Sequence, residues 1–209
     1  STSSQDQAAG TGWTANNKRW GAGALMFDGT NDYVYKAYSN FESSDTAGTI
    51  EGWIKTTSDT AAIFSSSDEA TDIHYIRTLT YSGKFAFQNY DSANNLIRGN
   101  TTVNDGNWHH VVAVFREGQS YSIYVDGLLI GEATTTDTSL NTANNLEIGG
   151  FSTRSRYFEG EIDDVLIFMH EITSEQIQSL YNSYTTDNPF ETIVAEETTS
   201  GETWSATVT

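Results

Sequence analysis

The chain has 209 residues, 37% hydrophobic and 12% aromatic, enough for one large domain with a substantial core. Its net charge of −18, from 28 acidic against 10 basic residues, repels nucleic-acid phosphates and anionic lipid and suits hard cations or a salty medium. Cysteine is absent, which excludes disulfides, thiol catalysis and thiolate zinc sites, and no apolar run approaches the roughly 20 residues of a membrane-spanning helix.

Taken in chain order, apolar residues alternate with polar ones at period two, the pattern of half-buried strands. Strands are predicted over 24–27, 49–55, 84–89, 108–116, 120–125, 128–133, 145–149 and 162–169. Turn pairs punctuate them: Asp28-Gly29, Ser82-Gly83, Asp105-Gly106, Glu117-Gly118 and Asp126-Gly127. The last specifies a two-residue hairpin between the strands on either side of it. Many short strands with regular turns mean an all-β sandwich or barrel. One helix breaks the pattern, where Thr173 and Gln176 form a capping box ahead of an apolar stripe of Ile177, Leu180 and Tyr181. It is short, so packing against the sheets must hold it.

After Asn182 the character changes. Residues 1–184 read as one domain, and 185–209 as a polar connector with a strand-like tail in which Trp204, Ala206 and Val208 alternate with Thr and Ser. That tail is expected either to fold back as a terminal hairpin or to open a following Ig-like domain. Ser1 reads as the start of a mature chain or of an excised piece, with no signal peptide before it.

Three segments carry a resemblance. They are 23–34, which contains Phe27-Asp28-Gly29 and Asn31-Asp32-Tyr33; 105–115, with Asp105-Gly106-Asn107-Trp108-His109-His110, followed by Tyr124-Val125-Asp126-Gly127; and 158–168, with Glu161-Ile162-Asp163-Asp164-Val165, followed by the capped helix. Together they resemble the LamG-like jelly-roll family of the concanavalin A-like lectin/glucanase fold, across roughly residues 15 to 183. The resemblance implies a two-sheet antiparallel jelly-roll sandwich with one short helix near its C-terminal side. It also implies an extracellular or cell-surface, non-catalytic module of a larger protein, binding a glycan or another surface protein and commonly holding calcium.

Calcium takes roughly six to eight oxygens from carboxylates, amides and carbonyls. Asp28, Gly29, Asn31 and Asp32 crowd one turn, and Asp163 and Asp164 adjoin on the last core strand. In the family these two positions meet, so they form the expected calcium set. The competing reading is that the aspartates accept backbone hydrogen bonds in Asx-turns. His109 and His110 point to opposite faces of a strand, so they cannot chelate one ion together and read as structural. Glu159, Glu161 and Asp163 share a strand face, and Glu161-Ile162-Asp163 resembles the first half of a glucanase motif. Its second glutamate is replaced by Val165 or Leu166, which leaves no proton donor for glycoside hydrolysis. For glycan contact, aromatic faces beside polar groups are needed. The candidates are Arg154, Arg156, Tyr157 and Phe158, then Tyr75 with His74 and Arg77, and Tyr90 with Asp91 and Asn94. The expected function is therefore a calcium-stabilised carbohydrate-binding or adhesive module. A spacer making protein–protein contacts is the alternative, and a glycoside hydrolase the least supported reading.

Overall fold

The computed structural model describes residues 12–19, 21–36, 47–67, 74–91, 93–116, 118–134, 145–151 and 155–185. The strands are β1 (Gly12–Thr14), β2 (Ala24–Asp28), β3 (Val34–Lys36), β4 (Ala47–Thr56), β5 (Thr60–Ser67), β6 (His74–Tyr81), β7 (Lys84–Asp91) and β8 (Ala93–Thr102). They continue with β9 (Trp108–Arg116), β10 (Ser120–Val125), β11 (Leu128–Thr134), β12 (Leu146–Ile148), β13 (Gly150–Phe151), β14 (Arg156–Tyr157) and β15 (Glu159–Phe168), before helix α1 (Ser174–Thr185). Two large antiparallel sheets form the sandwich. One has seven strands in the order β1-β2-β15-β4-β9-β10-β11, and the other six in the order β3-β12-β5-β6-β7-β8. The expected two-sheet, all-β fold with one short helix is what the structure shows. The strand-like tail lies outside the described residues.

The core fills the space between the sheets with alternate residues of each strand. Ile50, Ile54, Val111, Ala113 and Phe115 come from the seven-stranded sheet, and Ile76, Phe85, Phe87 and Ile97 from the six-stranded one. Phe87 stacks on Phe115 at 5.3 Å and meets Tyr121 edge-on at 5.1 Å. The Tyr121 hydroxyl, carried into the core, accepts a 2.7 Å bond from Asn89 Nδ2, so its polar atom is not stranded.

Both outer faces are furnished. On the seven-stranded sheet, α1 lays Ile177 and Leu180 over Val112 and Val114, and Tyr181 stacks on Trp53 at 5.9 Å. The capping box forms as predicted: Thr173 N–H donates to Gln176 Oε1 at 2.7 Å, and Gln176 N–H donates back to Thr173 Oγ1 at 3.3 Å. On the six-stranded sheet lies the small β13–β14 hairpin, with Ser65 Oγ donating to the Gly150 carbonyl at 2.8 Å. Gly149 allows the sharp entry to that hairpin. It sits at φ 78°, and an added Cβ would fall 2.2 Å from the Phe27 ring.

Three long strands were not predicted. β5 carries Ser65-Ser66-Ser67, which reads as loop, yet all three are buried and bonded to Gly150 or Asn145. β6 and β8 place Thr78, Thr80 and Asn95 on their inner face and Tyr75, Leu79 and Leu96 on their outer one, which hides the alternation.

Candidate functional site

On the outer face of the six-stranded sheet, cross-strand registers align Tyr35, Glu147, Ser65, Arg77, Gln88 and Leu96 in one row from β3 to β8. Beside this row, Tyr75 pairs with Tyr90, and Tyr90 with Asn94. The two tyrosine rings stack at 5.3 Å and 9°. Phe151 of β13 leans on Tyr75 at 5.0 Å, and the Arg77 guanidinium lies over both the Tyr75 and Phe151 rings. Arg77 Nε donates to Gln88 Oε1 at 2.6 Å.

At the other end of the row, Tyr157 of β14 packs 6.2 Å from Tyr33, which in turn meets Tyr35 edge-on at 6.5 Å. Burial, and then the neighbouring Tyr33 and Glu147, hold the Tyr157 hydroxyl above the ordinary phenol range, so at neutral pH it is a donor. Arg156 is exposed beside it. Sequence-predicted ligand residues from two distant segments therefore converge on one face: Arg156 and Tyr157 at one end, Tyr75 and Tyr90 at the other. Arg154 lies outside the described residues.

Two predicted contacts are corrected. Phe158 is fully buried, edge-on to Phe27 at 6.3 Å in the core, because alternation turns it inward directly after Tyr157. Tyr75 is only 7% exposed, covered by Tyr90 and Phe151, so it supports a stacking surface instead of forming one. Arg77 and Asn94, named from the sequence beside Tyr75 and Tyr90, lie on the same face, and Tyr33, Tyr35 and Gln88, not among the sequence-predicted contacts, complete it. Finding these three needs β3 recognised as a strand and the order of strands in the sheet.

The acidic segments are placed separately. Asp28 lies opposite Glu159, whereas Asp163 lies opposite Trp53. Asp163 is thus four residues further along β15, about 13 Å away at the usual strand rise. In the turn after β2, Asp28 Oδ1 accepts the Thr30 N–H at 2.8 Å and Asp32 Oδ2 accepts the Asp28 N–H at 3.3 Å, with Gly29 between them and Asn31 exposed. Asp163 accepts the Arg19 N–H at 2.8 Å and the Asp164 N–H at 3.0 Å. All are bonds from backbone N–H groups, and the Asp28–Thr30 one is the expected Asx-turn. Among the described residues no group of three or more His, Asp or Glu side chains is arranged to hold a metal ion. The predicted set does not fit a single ion spanning both segments.

A bulge between Asp163 and Leu166 breaks the register of β15 on β4, with Asp164 at φ 46°. Burial, then Asp163 and Glu51, push the Asp164 carboxyl up to about 6. Glu51 is itself buried, 3.2 Å from His110 Nε2. His110 is outward-facing yet wholly buried, because α1 and Trp53 cover that face. His109 faces inward at the sandwich rim, bridging Asp126 and Asp105. Glu161 is bonded to Asn17, whose Oδ1 also accepts from Lys55 Nζ at 2.9 Å. Glu161 and Asp163 on the acidic strand face are thus engaged by protein partners.

This is the architecture of a lectin-like β-sandwich whose outer sheet face carries an aromatic and polar platform. The profile of the concanavalin A-like lectin/glucanases superfamily, in its laminin G form, matches residues 28–178, and the chain belongs to that family. None of the curated proteins compared is significantly similar to it in sequence. Among solved structures it is similar to the LG4-5 domains of the mouse laminin alpha1 chain, at TM-score 0.59 and 13% identity, covering 81% of this chain and 48% of that one. It is similar to a heptameric SAP-like pentraxin from Limulus polyphemus at TM-score 0.57 and 17% identity, covering 82% and 80%. It is also similar to the receptor-binding domain of a botulinum neurotoxin C/D mosaic serotype, at TM-score 0.64 and 13% identity, covering 82% and 44%. The chain thus spans about half the length of the laminin and toxin structures. At these identities the likeness is one of fold.

Proposed function

We propose that the protein is a non-catalytic binding module, extracellular or cell-surface, that recognises a glycan on the outer face of its six-stranded sheet. The observation that carries this reading is the convergence of Arg156, Tyr157, Tyr33 and Tyr90 on one face, with exposed Asn94 supplying a polar contact and Arg77 and Gln88 buried behind it. Aromatic faces beside fixed donors and acceptors suit a sugar ring, apolar on its C–H side and polar at its rim. Family membership and the laminin and toxin receptor-binding neighbours support a binding role. A glycan array probed with wild type and with a Tyr90→Ala, Tyr157→Ala double variant tests it. Binding by the wild type that the variant loses, while it still unfolds cooperatively within a few degrees of the wild type, is the expected result. Binding that survives would move the site elsewhere.

Calcium is proposed for either acidic segment taken singly, completed by carbonyl and water oxygens, and not for the two together. The Asp28–Asp32 turn has Glu159 across from it, and the Asp163–Asp164 bulge has Glu51 beside it.

A second reading, contact with another protein, is favoured by the β10–β11 hairpin tip. Leu128 and Leu129 are 66% and 53% exposed there, on an edge strand of the seven-stranded sheet. A pull-down that loses its partner on Leu128→Ser, Leu129→Ser replacement, while glycan arrays stay blank, would establish this reading over the first.

A further inference from the structure

Across β6, β7 and β8 runs a hydrogen-bond chain with only one possible direction. Arg77 Nε donates to Gln88 Oε1, and Gln88 Nε2 donates to Asn94 Oδ1. A guanidinium has donors and no acceptor, so it fixes the oxygen of the Gln88 amide towards itself. The Gln88 NH2 group must then face Asn94, which is obliged to turn its oxygen inward. Flipping either amide would set donor against donor. Arg77 and Gln88 are each 6% exposed, so water competes little for these bonds. Asn94 stands at the exposed end of the chain. With its oxygen engaged inward, the group it offers outward is the NH2, with its two donors. Its direct cross-strand partner is the half-buried Tyr90, backed by Tyr75 on one side.

We propose that Asn94 is the specificity-determining residue of this face and reads an acceptor-only oxygen on a sugar whose ring lies against Tyr90. The matching group is an acetamido carbonyl or a carboxylate. Gln88 and Arg77 are positioning residues that hold the Asn94 amide in its donor orientation. The inference rests on the glycan reading of the same face. A plain hydroxyl can adapt, being donor and acceptor at once. An ammonium at the same carbon presents donors to donors and leaves the Asn94 group unpaired, which is the kind of mismatch that discriminates strongly.

The test is calorimetric titration with four probes: N-acetylglucosamine oligomers, their de-N-acetylated counterparts, oligogalacturonates, and the neutral oligomers made by reducing the uronate carboxyls. The expected result is either that the acetylated probe binds about ten-fold tighter than its de-N-acetylated counterpart, or that the uronate binds several-fold tighter than its reduced one, whose hydroxyl still accepts but without the charge. A preference confined to the first pair identifies the acetamido carbonyl, and one confined to the second the carboxylate. For the first pair, a net charge of −18 attracts the cationic de-N-acetylated sugar, so a preference for the acetylated form runs against the bulk electrostatics. Asn94→Asp, which replaces the donors by acceptors, should abolish the preference. Gln88→Glu still accepts from Arg77 but no longer donates, freeing the Asn94 amide to turn. It should reduce the preference several-fold with Tyr90 untouched, an effect that a merely structural role would not produce. Equal affinities within both probe pairs, or a preference unchanged in Asn94→Asp, would overturn the proposal and leave the glycan reading standing. A wild type that binds none of the four, and no glycan on the array, overturns both.

Discussion

His109 Nδ1 lies 2.8 Å from Asp126 Oδ2, and the opposite ring nitrogen lies 3.2 Å from Asp105 Oδ1, so one imidazole joins the turn before β9 to the tip of the β10–β11 hairpin. Asp126 is held from a second side by the His110 N–H, which donates to its Oδ1 at 3.0 Å. Both ring nitrogens are satisfied only when both carry protons. The Asp126 hydrogen bond, acting against burial and aided by the charges of Asp126 and Asp105, holds the His109 pKa above its ordinary value. A raised folded-state pKa means that the stabilisation is complete below the unfolded value near 6.5 and is lost as pH rises through the folded one. The melting temperature of the wild type should therefore fall by a few degrees above about pH 6.5, relative to His109→Gln. Parallel curves for the two proteins would refute the assignment.

Asp164 has the opposite effect. Its folded pKa of about 6 lies above the ordinary 3.8, so ionising it costs stability progressively as pH rises from about 4 to 6. In chelator, Asp164→Asn should raise the melting temperature by a few degrees at pH 7 and leave it unchanged at pH 4. Asn also tolerates φ 46°, so the backbone is not disturbed. A variant no more stable than wild type at pH 7 would show that the carboxylate is matched by a cation or a donor.

Calcium can be located by the same method. An ion bound only by the folded state should raise the melting temperature by several degrees, reversibly with chelator. Asp163→Ala should remove the response if the bulge holds the ion, and Asp28→Ala if the turn does. Identical melting curves in calcium and chelator would end the calcium proposal.

Adjacent residues give a contrast without any ligand. Phe158→Ala empties a packed core position and should cost about 3–5 kcal/mol. Tyr157→Ala, on the opposite side of the same short segment, should cost about 1 kcal/mol or less and act on binding instead. Chemical denaturation of the two variants checks this ordering, and similar losses would mean that Tyr157 is part of the core.

Glu161 and Asp163 are bonded to Asn17 and to the Arg19 backbone. Neither Glu161→Gln nor Asp163→Asn should change reducing-sugar release from β-glucans, because none is expected from the wild type. Release that either variant loses would establish an enzyme.

The strands carrying apolar alternation, the Asp126-Gly127 hairpin and the Thr173–Gln176 capping box were legible in the sequence, since each is a local pattern with a local cause. β5, β6 and β8 were not. In β5 and β6, Ser65 and Arg77 are polar yet buried near a hairpin contributed from β13 and β14, and no window around either contains that cover; in β8, Asn95 and Gly99 interrupt the inward apolar positions. The candidate face was half legible for the same reason. Arg156 and Tyr157 stood out as cationic and aromatic residues in an acidic chain, but their partnership with Tyr90 and Asn94 depends on sheet order. The two acidic segments looked like neighbours until the β2–β15 register set Asp28 against Glu159.

The position of α1 gives the sandwich a front and a back. The helix seals the seven-stranded sheet, so the described chain reaches Thr185 on the side away from Tyr90 and Tyr157. A sensor surface, bead or fluorophore attached through exposed Glu175 of that helix would leave the opposite face turned towards the medium, ready to meet a ligand.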